Sequence, residues 1–515
     1  MKRNLHLNLL ILLFTGLATM AGAASASELA DLIQNGERRA ALAMIEDGAD
    51  VNETQGDGTA PLHWAVYHVD HELTSTLLER GADTDVINAY GSSPLGEAAK
   101  VAEVELVRLL LDAGADADAP NADGQTVLML ASRSGSIEIA RLLVEHGADV
   151  NAREAWRGQS ALIWAADSQF PEIVDLLIEH GADVDIRAMA FDWPSQITSE
   201  PRAQYRPVGG LTPLLYAARA GCTSCVRSIV EAGAVIDRPT PEGMTPLIIA
   251  IDNGAFDTAK LLLESGANPH LWDWYGRTAL YVAVDMANAG GGTRREGGAG
   301  GVRPVSGFEI VELLLAAGVD PNAQLTMHRP GRGGNIGRFS DALLTTGATP
   351  MLRAAISLDL ATMRMLLANG ALADLPNVQG VTPLIAASGM GTSTRGRGAN
   401  LGGNVEQRAI EAIQLLLDAG ADINARSQAS YDRTAAVGRC GSMTETEGHS
   451  ALFDAMRRGW VDVAQYLIAN GADVDVVDTL GRTPVDYAMA QICDRDSAVS
   501  EETAVTFQRY LDEQN

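Results

Sequence analysis

Apolar residues recur along most of this chain at helical spacing, in short bursts that a glycine halts and a polar stretch follows. Residues 123–152, DGQTVLMLASRSGSIEIARLLVEHGADVNA, show the pattern in its fullest form. Gly124 permits a tight turn, Thr126 can cap a helix, and the apolar run with Ala131 gives that helix a buried side. Gly135 breaks the run. Ile137, Ile139, Ala140, Leu142 and Leu143 then carry the spacing of a second helix, which Gly147 can end in a left-handed conformation. Other copies place proline after the capping residue, at Thr212-Pro213, Thr245-Pro246, Thr382-Pro383 and Thr483-Pro484. Its fixed φ and missing N–H suit a first helical turn.

The closing glycine returns at Gly48, Gly81, Gly114, Gly147 and Gly181, in steps of 33, 33, 33 and 34 residues. The succession G-x-T-P-L-x-x-A, then G-x-x-x-[IV]-[VA]-x-x-L-L, then G-A-D-[VI]-[ND], in register over most of the chain, resembles the ankyrin repeat. The resemblance implies an all-α fold, a solenoid of about 12 helix-turn-helix repeats with β-hairpin-like fingers. It also implies that His63, at the T-P-L-H position, makes structural hydrogen bonds between repeats. Residues 28–52 read as a degenerate first copy that caps the stack. The last copy opens at Gly481 and is followed by residues 501–511, where Ala504, Val505, Phe507 and Leu511 can cover it and Ser500 can cap the segment. One elongated domain over 27–515 is the expectation.

Beyond Gly181 the closing glycines are Gly233, Gly266, Gly318, Gly370, Gly420 and Gly471, and the steps become 52, 33, 52, 52, 50 and 51. Inserts explain the long steps. Residues 188–208, 324–346 and 427–446 fall between a GAD-type ending and the next capping residue, so they extend fingers. Residues 288–307 and 392–404 separate a first helix from its second and emerge at the opposite edge.

Lys2 and Arg3 precede an apolar segment from Leu5 to Ala18 and then small residues, the pattern of a signal peptide over 1–26 with cleavage before Ser27. An exported protein, periplasmic or secreted, follows from that reading, with no membrane insertion after the signal is removed. The formal charge of −28 becomes −30 without Lys2 and Arg3, which argues against nucleic acid and anionic membranes as partners.

Repeat positions are occupied by stability, so chemistry is sought in what departs from them. Aromatic residues make up only 5% of the chain, yet four of seven tryptophans, Trp156, Trp193, Trp272 and Trp274, fall in finger segments. Tyr90 and Tyr275 each stand directly before a turn glycine. Such rings are favoured anchors at protein interfaces; the structural alternative is that neighbouring fingers or inserts cover them. The inserts are basic: Arg294, Arg295 and Arg303 in one, Arg329, Arg332 and Arg338 in another, Arg395 and Arg397 in a third. They form a lip that captures an acidic partner or anionic ligand, arms that fold back on the stack's own carboxylates, or Gly-rich mobile loops; mobility is the expectation for 288–303 and some order for 324–346, with Phe339 and Leu343 among its glycines. Arg329 and Arg332 join the six aromatic residues as partner-binding candidates.

Four cysteines in an exported chain allow three pairings, of which Cys222 with Cys225 and Cys440 with Cys493 is the one favoured. A redox dithiol at Cys222 and Cys225 is the sharper alternative, but no thioredoxin-like βαβ pattern surrounds it. His63, His68 and His71 lack the convergence that a metal needs, no catalytic motif occurs, and no cofactor is implied. The reading is a monomeric, exported scaffold that binds another protein through fingers, first helices and finger inserts. An enzyme or small-ligand receptor with its site under the inserts is the alternative.

Overall fold

A helix of seven residues does not hold in water by itself, so each helix of this chain depends on what it packs against. The computed structural model describes residues 28–193, 206–287, 305–327, 343–390, 405–428 and 447–489, together with Val505, Arg509 and Tyr510. The expected signal segment, all of insert 392–404 and most of each other insert, and Ser500 with most of 501–511 lie outside the described residues. Contacts divide the chain into two compact units, Met1–Met189 and Ala190–Asn515, and the division falls inside the first insert.

The first unit is five helix pairs: α1 (Glu28–Gln34) with α2 (Arg38–Glu46), α3 (Pro61–Tyr67) with α4 (His71–Glu79), and α5 (Pro94–Lys100) with α6 (Val104–Asp112). Then come α7 (Val127–Ser134) with α8 (Ile137–Glu145) and α9 (Ala161–Ser168) with α10 (Pro171–Glu179). First helices pack on first helices and second on second, which makes two layers. At one position of the first helix Leu62, Leu95, Leu128 and Leu162 are buried, and three residues on stand Ala65, Ala98, Ala131 and Ala165. The small alanine lets the next helix close in while the leucine fills the layer between. Leu77, Leu110, Leu143 and Leu177 do the same for the second layer.

The second unit opens with a hairpin, β1 (Ala190–Trp193) antiparallel to β2 (Arg206–Gly209), with Ala190 opposite Gly209. Its pairs are α11 (Pro213–Ala220) with α12 (Thr223–Glu231), α13 (Pro246–Asp252) with α14 (Phe256–Glu264), and α15 (Ala279–Ala287) with α16 (Gly307–Ala316). They continue as α17 (Pro350–Ile356) with α18 (Leu360–Ala368), α19 (Pro383–Ala387) with α20 (Val405–Asp418), α21 (Ala451–Arg458) with α22 (Val461–Ala469), and α23 (Pro484–Met489). The same two-layer order holds within this unit. Inserts 288–307 and 392–404 do fall between the helices of α15–α16 and α19–α20. The stem of 324–346 is ordered: Leu325 N donates to Ala348 O at 3.0 Å, Gly347 N to Leu325 O at 2.8 Å, and Leu343 and Leu344 are buried.

Capping follows the sequence reading closely. Thr126, Thr212, Thr245, Thr349 and Thr382 each accept the third following N–H on their side-chain oxygen. The break between helices differs. Gly135, Gly221 and Gly459 end first helices in the left-handed conformation, but Val69, Ala102, Gln169 and Leu358 stand at that position with φ of 56°, 59°, 65° and 52°. The turn therefore requires the left-handed conformation rather than the glycine, and packing on either side imposes it on residues that disfavour it.

Glycine is indispensable one turn away, at the finger tips. Gly91 has φ 71°, and a Cβ there would lie 2.5 Å from the Cβ of Ala122 on the next finger. Gly114 has φ 96° but open space around it. Gly114→Ala should cost only the conformational penalty, about 1–2 kcal/mol, and Gly91→Ala measurably more. Thermal melting of the two variants checks this, and equal losses would remove the close approach between fingers from the account.

Candidate functional site

Three sets of hydrogen bonds build each finger and set its register on the next. The first closes the tip: Asn88 Oδ1 accepts from Tyr90 N and Ser92 N, both at 3.0 Å. Asn121, Asp273, Asn377 and Asp478 serve their own tips in the same way. The second joins backbones of successive fingers. Ala89 N donates to Asp57 O at 2.7 Å, Trp274 N to Glu242 O at 2.8 Å, and Val378 N to Thr346 O at 2.9 Å. The third uses the last residue of G-A-D-[VI]-[ND]: Asp83 N donates to Asn52 Oδ1 at 2.7 Å, Asp116 N to Asp85 at 2.9 Å, and Asp149 N to Asp118 at 2.8 Å. The second and third sets carry the register of one copy to the next. The Asn or Asp three residues before the tip glycine was overlooked in the sequence reading, although its recurrence at Asn88, Asn121, Asp273, Asn377 and Asp478 is visible there.

On this frame Tyr90 is 76% exposed, Trp156 75%, Trp272 64% and Trp274 57%. Trp272 and Trp274 are brought together, flanking Asp273, which is buried and anchors the tip through Tyr275 N, Arg277 N and the Arg277 guanidinium at 2.6 Å. A bridge from Trp272 to Thr278 holds the segment extended, so alternate residues face out, in and out. In the first unit Glu154 takes over the tip, accepting from Trp156 N, Arg157 N and Gln159 N and leaving the indole outside.

Tyr275 is a correction: it is only 2% exposed and is no surface anchor. It occupies the same tip position as Tyr90, but Arg277, held by Asp273, lies over its ring at 5.8 Å. The following finger bonds to its carbonyl from Thr326 N at 3.0 Å and there carries the stem of an insert. The Trp193 side chain, Arg329 and Arg332 lie outside the described residues, as do Cys440 and Cys493.

Cys222 and Cys225 form a disulfide with Cα atoms 5.3 Å apart. Cys222 caps α12, its Sγ accepting from Cys225 N, and Cys225 is fully buried. His63 accepts from Ala60 N on Nδ1 and reaches Ser92 O of the next copy at 2.8 Å through Nε2, the inter-repeat role the resemblance implied; burial lowers its pKa. Arg353 on α17 binds Asp285 on α15 at 2.6 Å in a buried ion pair that joins first helices across an insert. Among the described residues no group of three His, Cys, Asp or Glu side chains could hold a metal. Nor is any helix there long and apolar enough to cross a membrane.

Two strongly perturbed titratable groups belong to the copy that opens at Gly448. His449 is fully buried between Phe453 and Tyr487, with both ring nitrogens unpaired, and burial lowers its pKa to about 3. Arg457, Arg482 and Arg426 disfavour its charged form and only Asp478, 3.8 Å away, favours it. Asp454 on α21 is buried against Arg457 and is pushed up to about 6 by that burial. The signs are opposed. His449 stays neutral in the fold, so the stability it contributes is present above its ordinary pKa of 6.5 and lost as pH falls towards 3. Asp454 takes up its proton early in the fold, so its contribution is present below 3.8 and lost as pH rises through 6. Between pH 6 and 4, His449→Leu should flatten the decline of melting temperature and Asp454→Asn should steepen it. A melting series on both variants checks the signs, and parallel curves would contradict them.

The family described as ankyrin repeats (3 copies) matches residues 29–121, 98–188, 197–273 and 241–291, and that described as ankyrin repeats (many copies) matches 452–491. Both are repeat families and neither is catalytic. No curated protein matches the chain. Among solved structures, the ankyrin repeat domain of Bcl-3, a unique member of the IkappaB protein family, is 28% identical, covering 44% of this chain and 94% of that one, with a TM-score of 0.37. The human ASB11 ankyrin repeat domain is 23% identical, covering 47% of this chain and 99% of that one, with a TM-score of 0.38. Ankyrin repeats generally mediate protein–protein interaction. Repeat grammar, two-layer helix pairs, laddered fingers and the matched residues agree, and the chain belongs to the ankyrin-repeat family.

Proposed function

We propose that this chain is an exported, monomeric scaffold that recognises another protein through its finger tips, with insert residues such as Arg329 and Arg332 biasing the choice of partner. The observation that carries the reading is the pair Trp272 and Trp274, 64% and 57% exposed on a finger whose backbone is already tied down. Large rings presented on ordered backbone need little further ordering on binding, which is where much of the cost of association arises. Tyr90 and Trp156 give the first unit tips of the same kind. Lys2, Arg3 and the apolar segment behind them support export, and a net charge of −28 disfavours nucleic acid.

Trp272→Ala with Trp274→Ala should weaken capture of the protein partner from the native envelope fraction by about tenfold or more. The melting temperature should stay within roughly 2 °C, because exposed side chains are being removed. A collapse in stability would make the two indoles structural and end their role as anchors. Export has its own measurement: sequencing the N-terminus of the protein from its native source should begin at Ser27, and a chain that retains Met1 would contradict cleavage.

A further inference from the structure

The residue directly before the tip glycine is Asp57, Tyr90 and Asp123 in three successive fingers of the first unit. Their register is fixed. Ala89 N donates to Asp57 O at 2.7 Å on one side, and on the other the backbone at Gly91 approaches Ala122 closely enough that a Cβ would meet it at 2.5 Å. The exposed ring of Tyr90 is therefore carried between two fingers that each bear a carboxylate at the equivalent position. Asp123 is exposed and Asp57 is half-buried. The N–H and hydroxyl of Thr59 hold the Asp57 carboxyl below its ordinary range, so it is charged at neutral pH.

Charge is also unevenly distributed along the chain. Residues 28–189 carry 30 Asp and Glu against 10 Lys and Arg, whereas residues 190–515 carry 36 against 26. A cation nearing the first unit is drawn by many carboxylates at once, over a distance set by the ionic strength.

We propose that Asp57, Tyr90 and Asp123 receive a Lys or Arg side chain from a basic segment of the partner protein, the cation over the tyrosine ring and between the two carboxylates. The inference rests on the protein-binding reading and adds the chemistry of the partner. A tyrosine face attracts a cation through its quadrupole, and the flanking carboxylates supply charge-assisted hydrogen bonds, for which a guanidinium is best shaped. Neither element suffices alone: an exposed ring takes any apolar group, and exposed acids attract any cation.

The test is fluorescence anisotropy of a labelled nona-arginine peptide titrated with the full chain at ~0.15 M salt. Tyr90→Ala should weaken binding about two- to fivefold, while Tyr90→Phe, which keeps the ring, should not. Asp57→Asn with Asp123→Asn should weaken it on the order of fivefold, with the tip bond to Thr59 N kept by the amide oxygen. Glu138→Gln with Asp175→Asn removes the same charge from exposed positions on α8 and α10 and should change binding by less than about twofold. Equal effects of the two charge pairs, or no effect of Tyr90→Ala, would overturn the proposal, since only diffuse attraction would remain. Native-partner capture that survives every tip variant in the first unit would also sink it, yet leave the protein-binding reading standing; that reading falls only if no protein is captured at all.

Discussion

Close approach of successive fingers is the constraint on which the rest of this structure depends. The tip glycine must take a positive φ, and it must also leave room for the backbone of the next copy, as Gly91 does for Ala122 and Gly276 does for Thr326. With that room, one backbone bond and one Asn or Asp side-chain bond pass from copy to copy. Short helices, most of seven to nine residues, then meet their neighbours in register, leucine against leucine and alanine beneath the next helix. Local turn chemistry thus decides how the apolar layers meet, although those layers supply most of the free energy of burial.

The same constraint produces the surface. Because the tips are tied through their backbones, the side chain before the glycine is not needed by the turn, and what stands there is free to vary: Asp57, Tyr90, Asp123 and Glu242, whereas Gln379 in the same position is buried. An array of this kind presents a row of independent choices on an ordered support. Where an insert widens the following finger, the freedom is withdrawn. Tyr275 is covered and held beneath Arg277, while its neighbours Trp272 and Trp274 stay outside.

Inside, the second unit departs from a purely apolar stack. Asp285 with Arg353, Asp273 with Arg277, and Asp454 with Arg457 bury carboxylates against arginines. Breaking one partner of such a pair is costly even where the pair itself adds little. Of the three, Asp285 with Arg353 joins one copy to the next while the other two lie within a copy, and His449 adds a group whose protonation the fold resists.

Periodicity and turn residues were enough to read the helix pairs, their caps and the flanks of the inserts, because these are local chemistry repeated in register: Thr126 caps α7 whatever lies beyond it. The pairing of Cys222 with Cys225 was legible for the same reason, three residues at one helix start. Exposure of a ring was not, since Tyr90 and Tyr275 share a local sequence position and differ in the finger that follows. Likewise Val69 and Leu358 could replace a breaking glycine only because packing on both sides forces the left-handed turn. Bonds between neighbours in sequence are fixed by the residues that make them; burial belongs to whatever arrives from elsewhere in the chain, and only the assembled copies decide it.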